Sequence, residues 1–213
     1  MGVVPVIPVF VTVRDRVTCL KVLIDRLETL DDVGPIVLLD NASTYAPLLE
    51  YLAETPHEVV TLPNLGNRAL WIADVHPELR RGRFVLTDPD VIPDCPDDAL
   101  AVLGRVLDRH PELVKVGLGL RIDDLPSEAE AVRAWESQFW LNALEPGVYD
   151  AGVDTTFALY RPDGGSAITP AARTGPPYVA RHLPWYQTDP EETYYRAHAT
   201  PGISHWTGST PNW

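Results

Sequence analysis

Asp88 and Asp90 are carboxylates separated by Pro89, and only Thr87 stands between them and the apolar run Phe84, Val85, Leu86. Pro89 fixes its own φ and disfavours helix at Asp88, so the pair belongs to a turn. Acids at the carboxyl end of a buried strand sit where α/β sheets bind ligands. Such oxygen donors suit a hard divalent cation, Mg²⁺ or Mn²⁺, held by one or two carboxylates plus substrate phosphates. The same triplet is also an ordinary acidic turn, and it is too short to decide alone.

Further polar residues close other apolar runs. Asp40 follows Ile36, Val37, Leu38 and Leu39 and leads into Asn41, Ala42 and Ser43. It either binds a ligand or caps the next helix, and Asn41 and Ser43 read equally as caps. Arg14, after Val11-Thr12-Val13, offers a guanidinium to a diphosphate or to solvent. Asn64 and Gly66 shape a tight turn, with Gly66 letting backbone pass close to a ligand. Arg68 is a second phosphate candidate or a solvated helix-start residue. Asp154 enters an apolar stretch where a carboxylate is unexpected. It is a candidate general base, or else a structural acid bonded to nearby backbone or a Thr hydroxyl. Glu136, on an aromatic helical stretch, is its rival.

The elements that would carry these residues alternate. Strands are expected at 6–13, 36–39, 58–62 and 83–87, and helices at 17–30, after Ser43 (Leu48, Leu49, Leu52) and at 68–75. Asp15 reads as the N-cap of the first helix and Gly34-Pro35 as a turn. Short alternating elements imply an α/β fold with a mainly parallel central sheet flanked by helices. Arg14, Asp40, Asn64 and Asp88 then gather along one sheet edge. The second half differs. Helix is expected at 99–107 and 127–140, the latter opened by a Ser127/Glu130 capping box. Strands are expected at 113–122 and 153–160, and 162–177 reads as a Gly/Pro-rich loop. The tail from 178 onward, dense in aromatics and His, is expected to fold back over the site.

Composition bounds the function. The chain has 213 residues, the size of one domain, and a net charge of −13. No basic cluster is long enough to track a nucleic-acid backbone, so no nucleic-acid partner is expected, and anionic membranes are disfavoured. Two cysteines make no disulfide framework, and Cys19 reads as a buried thiol. The apolar start is short, contains Pro5 and Pro8 and lacks a basic region, so it reads as a strand and not a signal peptide. No run reaches the length of a transmembrane segment, and the expected compartment is cytoplasmic.

Several of these stretches, in this order, resemble the nucleotide-sugar glycosyltransferases of the GT-A fold, most closely the glycosyltransferase family 2-like group. Val11-Thr12-Val13-Arg14 resembles the end of that family's first strand. Leu38-Leu39-Asp40-Asn41-Ala42-Ser43-Thr44 is close to its hydrophobic-D-N-A-S-T signature, although Tyr45 stands where Asp often follows. Asn64-Leu65-Gly66-Asn67 is similar to its N-x-G-N segment, and Asp88-Pro89-Asp90 to its D-x-D motif.

The resemblance covers the first half of the chain. It implies a single GT-A (Rossmann-like) domain over 1–213, with a nucleotide-sugar-binding half, 1–95, and an acceptor-side half with lid, 96–213. It implies transfer of a sugar from a nucleoside-diphosphate donor, UDP favoured, to a carbohydrate or other acceptor hydroxyl, with Mn²⁺ or Mg²⁺ as cofactor. The implied setting is bacterial polysaccharide or natural-product biosynthesis. Donor contacts fall on Thr12, Arg14, Asp40, Asn41, Asn64, Gly66, Arg68 and Asp88, with Asp40 on the nucleobase. Metal ligands fall on Asp88 and Asp90. Some members add a C-terminal His; here His182 is the first choice and His205 the second, while His57, His76 and His110 read as surface residues. Trp185, Tyr186, Trp206 and Trp213 offer rings to an acceptor sugar or to a homo-oligomer surface. The alternatives are a sugar nucleotidylyltransferase, whose N-terminal Gly-rich loop is missing, and a catalytically silent nucleotide- or glycan-binding domain of the same fold. A dinucleotide dehydrogenase would need G-x-G-x-x-G after the first strand, which is also missing.

Overall fold

The computed structural model describes residues 6–154, 156–186 and 190–200. The first half alternates as its periodicity demands. Strand β1 (Ile7–Val13) leads to helix α1 (Val17–Leu27), β2 (Val33–Asn41), α2 (Ala46–Glu54) and β3 (Glu58–Leu62). A 3₁₀ turn, Gly66–Arg68, precedes the short helix α3 (Ala69–Ile72), and β4 (Phe84–Thr87) and β5 (Val91–Asp94) follow. The second half holds α4 (Ala99–Arg109), β6 (Lys115–Leu120), α5 (Glu130–Glu136), β7 (Ala143–Glu145), β8 (Val148–Asp150), β9 (Ala158–Tyr160), β10 (Ala171–His182) and α6 (Glu192–Ala197).

These strands form one sheet in the order β3-β2-β1-β4-β9-β6-β10-β8-β7, with β5 pairing to β10. Strands β3, β2, β1 and β4 pair in parallel, and β6 pairs in parallel with β10. Strand β9 lies antiparallel between β4 and β6, so both blocks run the same way. Alternate residues of β1 bury on opposite faces, as the two-residue period requires. Val9, Val11 and Val13 pack with Leu20, Leu23 and Leu27 of α1, while Phe10 packs with Leu70, Phe84 and Tyr160. Parallel strands buried on both faces read as unbroken apolar runs, which is why Ile36 to Leu39 shows no alternation.

Several elements depart from the sequence expectation for identifiable reasons. Gly34 and Pro35 are inside β2, not in a turn. A Cβ at Gly34 would meet the Ile7 backbone at 3.1 Å, and pairing with β3 starts only at Val37, so Pro35 sacrifices no bond on that side. Helix α1 ends at Leu27; Leu30 keeps the apolar spacing from a turn, where it is buried. The helix expected at 68–75 has one α-turn, because Asp74 and His76 adopt positive φ. The Ser127/Glu130 capping box does not form: Ser127–Ala129 is a 3₁₀ turn, and the N-cap of α5 is Ala129 with no side-chain bond. Among the described residues of the stretch 153–160 only Ala158–Tyr160 is strand, and Asp154 lies in a loop. The largest change is β10. Its residues up to Pro177 were expected to be loop, but Gly175, Pro176 and Pro177 occupy a register shift between Thr174 and Val179 within one strand. Gly and Pro there mark a bulge, and their composition resembles that of a loop.

Candidate active site

Thr87 ends β4 at the centre of the sheet, and Asp88-Pro89-Asp90 turns the chain into β5. Strand β5 pairs antiparallel with the end of β10, Val91 opposite His182, and the Leu183 N–H donates to the Asp90 carbonyl at 2.9 Å. That pairing brings His182 to the acidic turn from far along the chain. Its Nε2 lies 3.5 Å from Asp90 Oδ2. Arg16 Nη1 donates to the same oxygen at 2.9 Å. Burial alone would favour the protonated acid, but the charges of His182 and Arg16 outweigh it and hold the Asp90 carboxyl down at about 2. Asp90 is therefore an anion at neutral pH. Asp88 is half-buried beside it. Among the described residues no three His, Cys, Asp or Glu side chains converge into a finished metal cage. Asp90 and His182 nevertheless bring a carboxylate oxygen and the imidazole Nε2 within 3.5 Å of each other. This donor set fits a divalent cation whose remaining ligands come from Asp88 and a diphosphate.

The neighbouring strand ends form a connected edge. Arg14 Nη1 donates to the carbonyls of Asn41 at 2.6 Å and Ala42 at 3.3 Å. Ala42 has φ 57°, a conformation disfavoured for a residue with a Cβ, and the Arg14 bonds help to hold it. Asn41 spends its whole amide on the next loop: Nδ2 donates to the Gly66 carbonyl at 2.9 Å, and Oδ1 accepts from the Leu65 N–H at 3.1 Å. Gly66 has φ +66°, which explains the glycine. Asn64 Oδ1 accepts from the Gly66 N–H. Asp40 is buried, and its Oδ1 accepts from the Ser43 N–H at 3.0 Å. Thr12, on β1 beside Leu39, carries a buried hydroxyl with no partner, an atom a ligand at this edge would satisfy. Asp15 does not cap α1, whose N-cap is Arg16. Its carboxylate accepts from the N–H groups of Thr44 and Tyr45 at 2.6 and 2.9 Å, and so holds the signature loop.

Beyond the turn, on the face opposite α1 and α4, lies a second polar group. Asp154 lines a cavity of about 40 Å³ with Asn67, Arg68, Trp71, Tyr160, Ser166 and Ile168. Its Oδ1 accepts from the Thr156 N–H at 3.2 Å. Arg68 and Asp154 are thus brought together across the cavity. Beneath them Lys115, almost fully buried, donates to the Asp154 carbonyl at 3.2 Å and the Tyr160 hydroxyl at 3.1 Å. Burial pulls the Lys115 ammonium down to about 8. Glu136 is buried, with Oε2 accepting from Arg173 Nη1 at 3.0 Å, and Arg173 lies over the Phe139 ring. Burial lifts the Glu136 carboxyl to about 7 despite the Arg173 charge. A carboxyl near neutrality is matched to proton transfer, but this one is already tied to a guanidinium.

Sequence reading missed Arg16, Lys115 and Arg173. Arg16 was visible only as a charge ending the first strand. Lys115 was visible as a lone cation in an apolar run, a pattern that signals a buried functional or structural amine. Arg173 was hidden in the stretch expected to be loop. Trp185 packs its ring on His182 at 4.7 Å, and Tyr186 donates to the Arg121 carbonyl at 2.7 Å. His205, Trp206 and Trp213 lie outside the described residues. His57, His76 and His110 sit beside carboxylates at partly exposed positions.

A mannosyltransferase from Pyrobaculum calidifontis, solved with GDP-Man and Mn²⁺, superposes with a TM-score of 0.53 at 18% identity over 89% of this chain. The fold is of the GT-A type. The chain spans 59% of that mannosyltransferase. Glucosyl-3-phosphoglycerate synthase from Mycobacterium tuberculosis, in complex with phosphoglyceric acid, gives a TM-score of 0.45 at 18% identity, over 75% of this chain and 57% of that one. A CMP:2-keto-3-deoxy-manno-octonic acid synthetase with CTP gives 0.45 at 12% identity, over 75% of each chain. No family model and no curated protein matches the sequence. In this GT-A-type chain the acidic turn, Asp40 and Asn64 all stand at strand ends on the carboxyl edge of the parallel block, and no helix among the described residues is long and apolar enough to cross a membrane.

Proposed function

We propose that the chain is a metal-dependent glycosyltransferase that moves a sugar from a nucleoside-diphosphate donor, with UDP favoured, to an acceptor hydroxyl. The observation that carries this reading is the convergence of His182 on Asp90 in a D-P-D turn at the carboxyl end of a central parallel strand. Asp90, His182 and Asp88 would hold the cation, and an imidazole in the set favours Mn²⁺ over Mg²⁺. Such a cation supplies charge neutralisation at the leaving diphosphate. The mannosyltransferase of the same fold type was solved with Mn²⁺ and a nucleotide sugar, which supports the reading without fixing donor or acceptor.

The chain's own residues then divide the work. Asp40, buried and at the end of β2, orients the base, and the Thr12 hydroxyl faces the same edge. Arg14 and Arg68 offer guanidinium donors to the phosphates. Asp154, across the cavity from Arg68, takes the acceptor proton if configuration inverts. Glu136 serves instead to anchor Arg173, whose Nε donates to the Gly152 carbonyl and so holds the loop before Asp154. On this reading residues 1–95 carry the donor contacts except His182, which β10 brings in from the second half, and 96–213 otherwise form the acceptor side.

The test is release of nucleoside diphosphate from a panel of UDP-, GDP-, CDP- and TDP-sugars, with and without Mn²⁺. Turnover of one donor only with the cation is expected. Asp154→Asn should keep donor affinity and stop transfer. A folded protein that releases no diphosphate from any donor would favour the silent binding domain.

A further inference from the structure

The described part of the C-terminal tail, residues 190–200, lies on the residues that the proposed function gives to the donor. Arg14 Nη2 donates to the His198 carbonyl at 3.1 Å, and Asn64 Nδ2 donates to Thr200 Oγ1 at 3.1 Å. Tyr194 donates to Thr44 Oγ1 at 3.1 Å and packs on Tyr45 at 4.9 Å. Two adjacent carboxylates anchor the segment. Glu191, buried, accepts from the Thr18 hydroxyl at 2.7 Å and the Thr18 N–H at 3.4 Å, in the first turn of α1. Glu192 Oε2 accepts from Arg16 Nη2 at 2.8 Å, and the Tyr195 ring lies under the same guanidinium at 4.4 Å.

Arg16 is the pivot. One of its nitrogens is on Asp90 Oδ2 and another on Glu192. A cation at Asp90 competes with Arg16 for that oxygen and repels its charge. A diphosphate attached to the cation offers Arg16 a more highly charged acceptor than a single carboxylate. Glu192 is then left beside phosphate oxygens of its own sign, and Glu191 follows because it is the next residue.

We propose that residues 190–200 form an acidic latch, in which Glu191 and Glu192 hold the start of α1 and Arg16 in place of the donor diphosphate, so that donor entry and latch closure exclude one another. This rests on the glycosyltransferase reading for the identity of the competitor. The latch itself is defined by the contacts above. Ligand affinity in such a system is reduced by the fraction of molecules that are open.

The experiment uses the full chain and Mn²⁺ with inorganic pyrophosphate as probe. Amide exchange over residues 192–197 reports the latch, and calorimetry reports binding. In the wild type the probe should bind and speed exchange of that segment. In the Glu191→Gln/Glu192→Gln variant exchange should be fast without probe, and the probe should bind about tenfold tighter, as follows from a latch that is about nine-tenths closed. Thr18→Ala, which leaves the tail intact, should move both readouts the same way by less. Probe bound to the wild type with the segment still protected, or equal affinity in the variant, overturns the latch and leaves the function reading standing. Binding to the variant alone supports the latch. Binding to neither overturns the diphosphate reading and, with it, the competition.

Discussion

Asp90 shows how one side chain is assigned a role by its neighbours. A carboxylate this buried stays ionised because Arg16 and His182 both approach it. Asp90→Ala should therefore abolish Mn²⁺-dependent donor affinity while leaving the fold; unchanged affinity by calorimetry would remove Asp90 from the cation site. Glu136 makes the opposite case. Its carboxyl, at about 7 in the fold against 4.5 for an unperturbed side chain, keeps its proton longer folded than unfolded. Stability from this group is therefore full below about pH 4.5 and declines as pH rises through 7. Glu136→Gln should flatten that part of the melting temperature's pH profile, and an unaltered profile would contradict the assignment. Arg173→Met leaves Glu136 without its partner and should cost about 3 kcal/mol in urea unfolding. Asp88, Asp90 and Asp40 were legible because type and spacing alone suggest oxygen donors at strand ends. Arg16 was not legible, since its partners Asp90 and Glu192 are 74 and 176 residues away in the chain.

At the scale of elements, β10 decides the site. Its first arm follows β6, its bulge at Gly175–Pro177 shifts the register, and its second arm delivers His182 to β5. Gly119 of β6 faces that bulge: a Cβ there would lie 2.4 Å from the Thr174 carbonyl oxygen and 2.8 Å from the Trp140 ring. Backbone oxygen in a paired strand has little room to yield. Gly119→Ala should destabilise by about 1–3 kcal/mol in urea unfolding, while Gly165→Ala, with nothing within 4 Å of its added Cβ, should be near neutral. Equal effects would show that the bulge tolerates displacement. The parallel strands of the first half were legible because each is an apolar run closed by a polar residue. The second half was less so. Strands of three residues, β7, β8 and β9, are too short for periodicity to register, and a strand broken by Gly and Pro has the composition of a loop.

For the whole molecule, the net charge of −13 bears on function. An anionic donor entering such a protein needs cationic groups at the site and a bound cation, and here Arg14 and Arg16 stand at the same edge as the acidic turn. The tail occupies both arginines, Arg14 through the His198 carbonyl and Arg16 through Glu192, so a donor at this edge would compete with it for positive charge. The proposed function turns on metal-dependent binding of a nucleoside diphosphate at this edge. It is tested most directly by the melting temperature of the protein with UDP, GDP, CDP and TDP, each with and without Mn²⁺. A ligand at a hundredfold excess over its Kd stabilises the folded state by about 2.7 kcal/mol. One nucleotide should raise the melting temperature only when Mn²⁺ is present, and Asp90→Ala should lose the shift. A shift that ignores Mn²⁺ would contradict the cation site, and no shift from any nucleotide would contradict the claim as a whole.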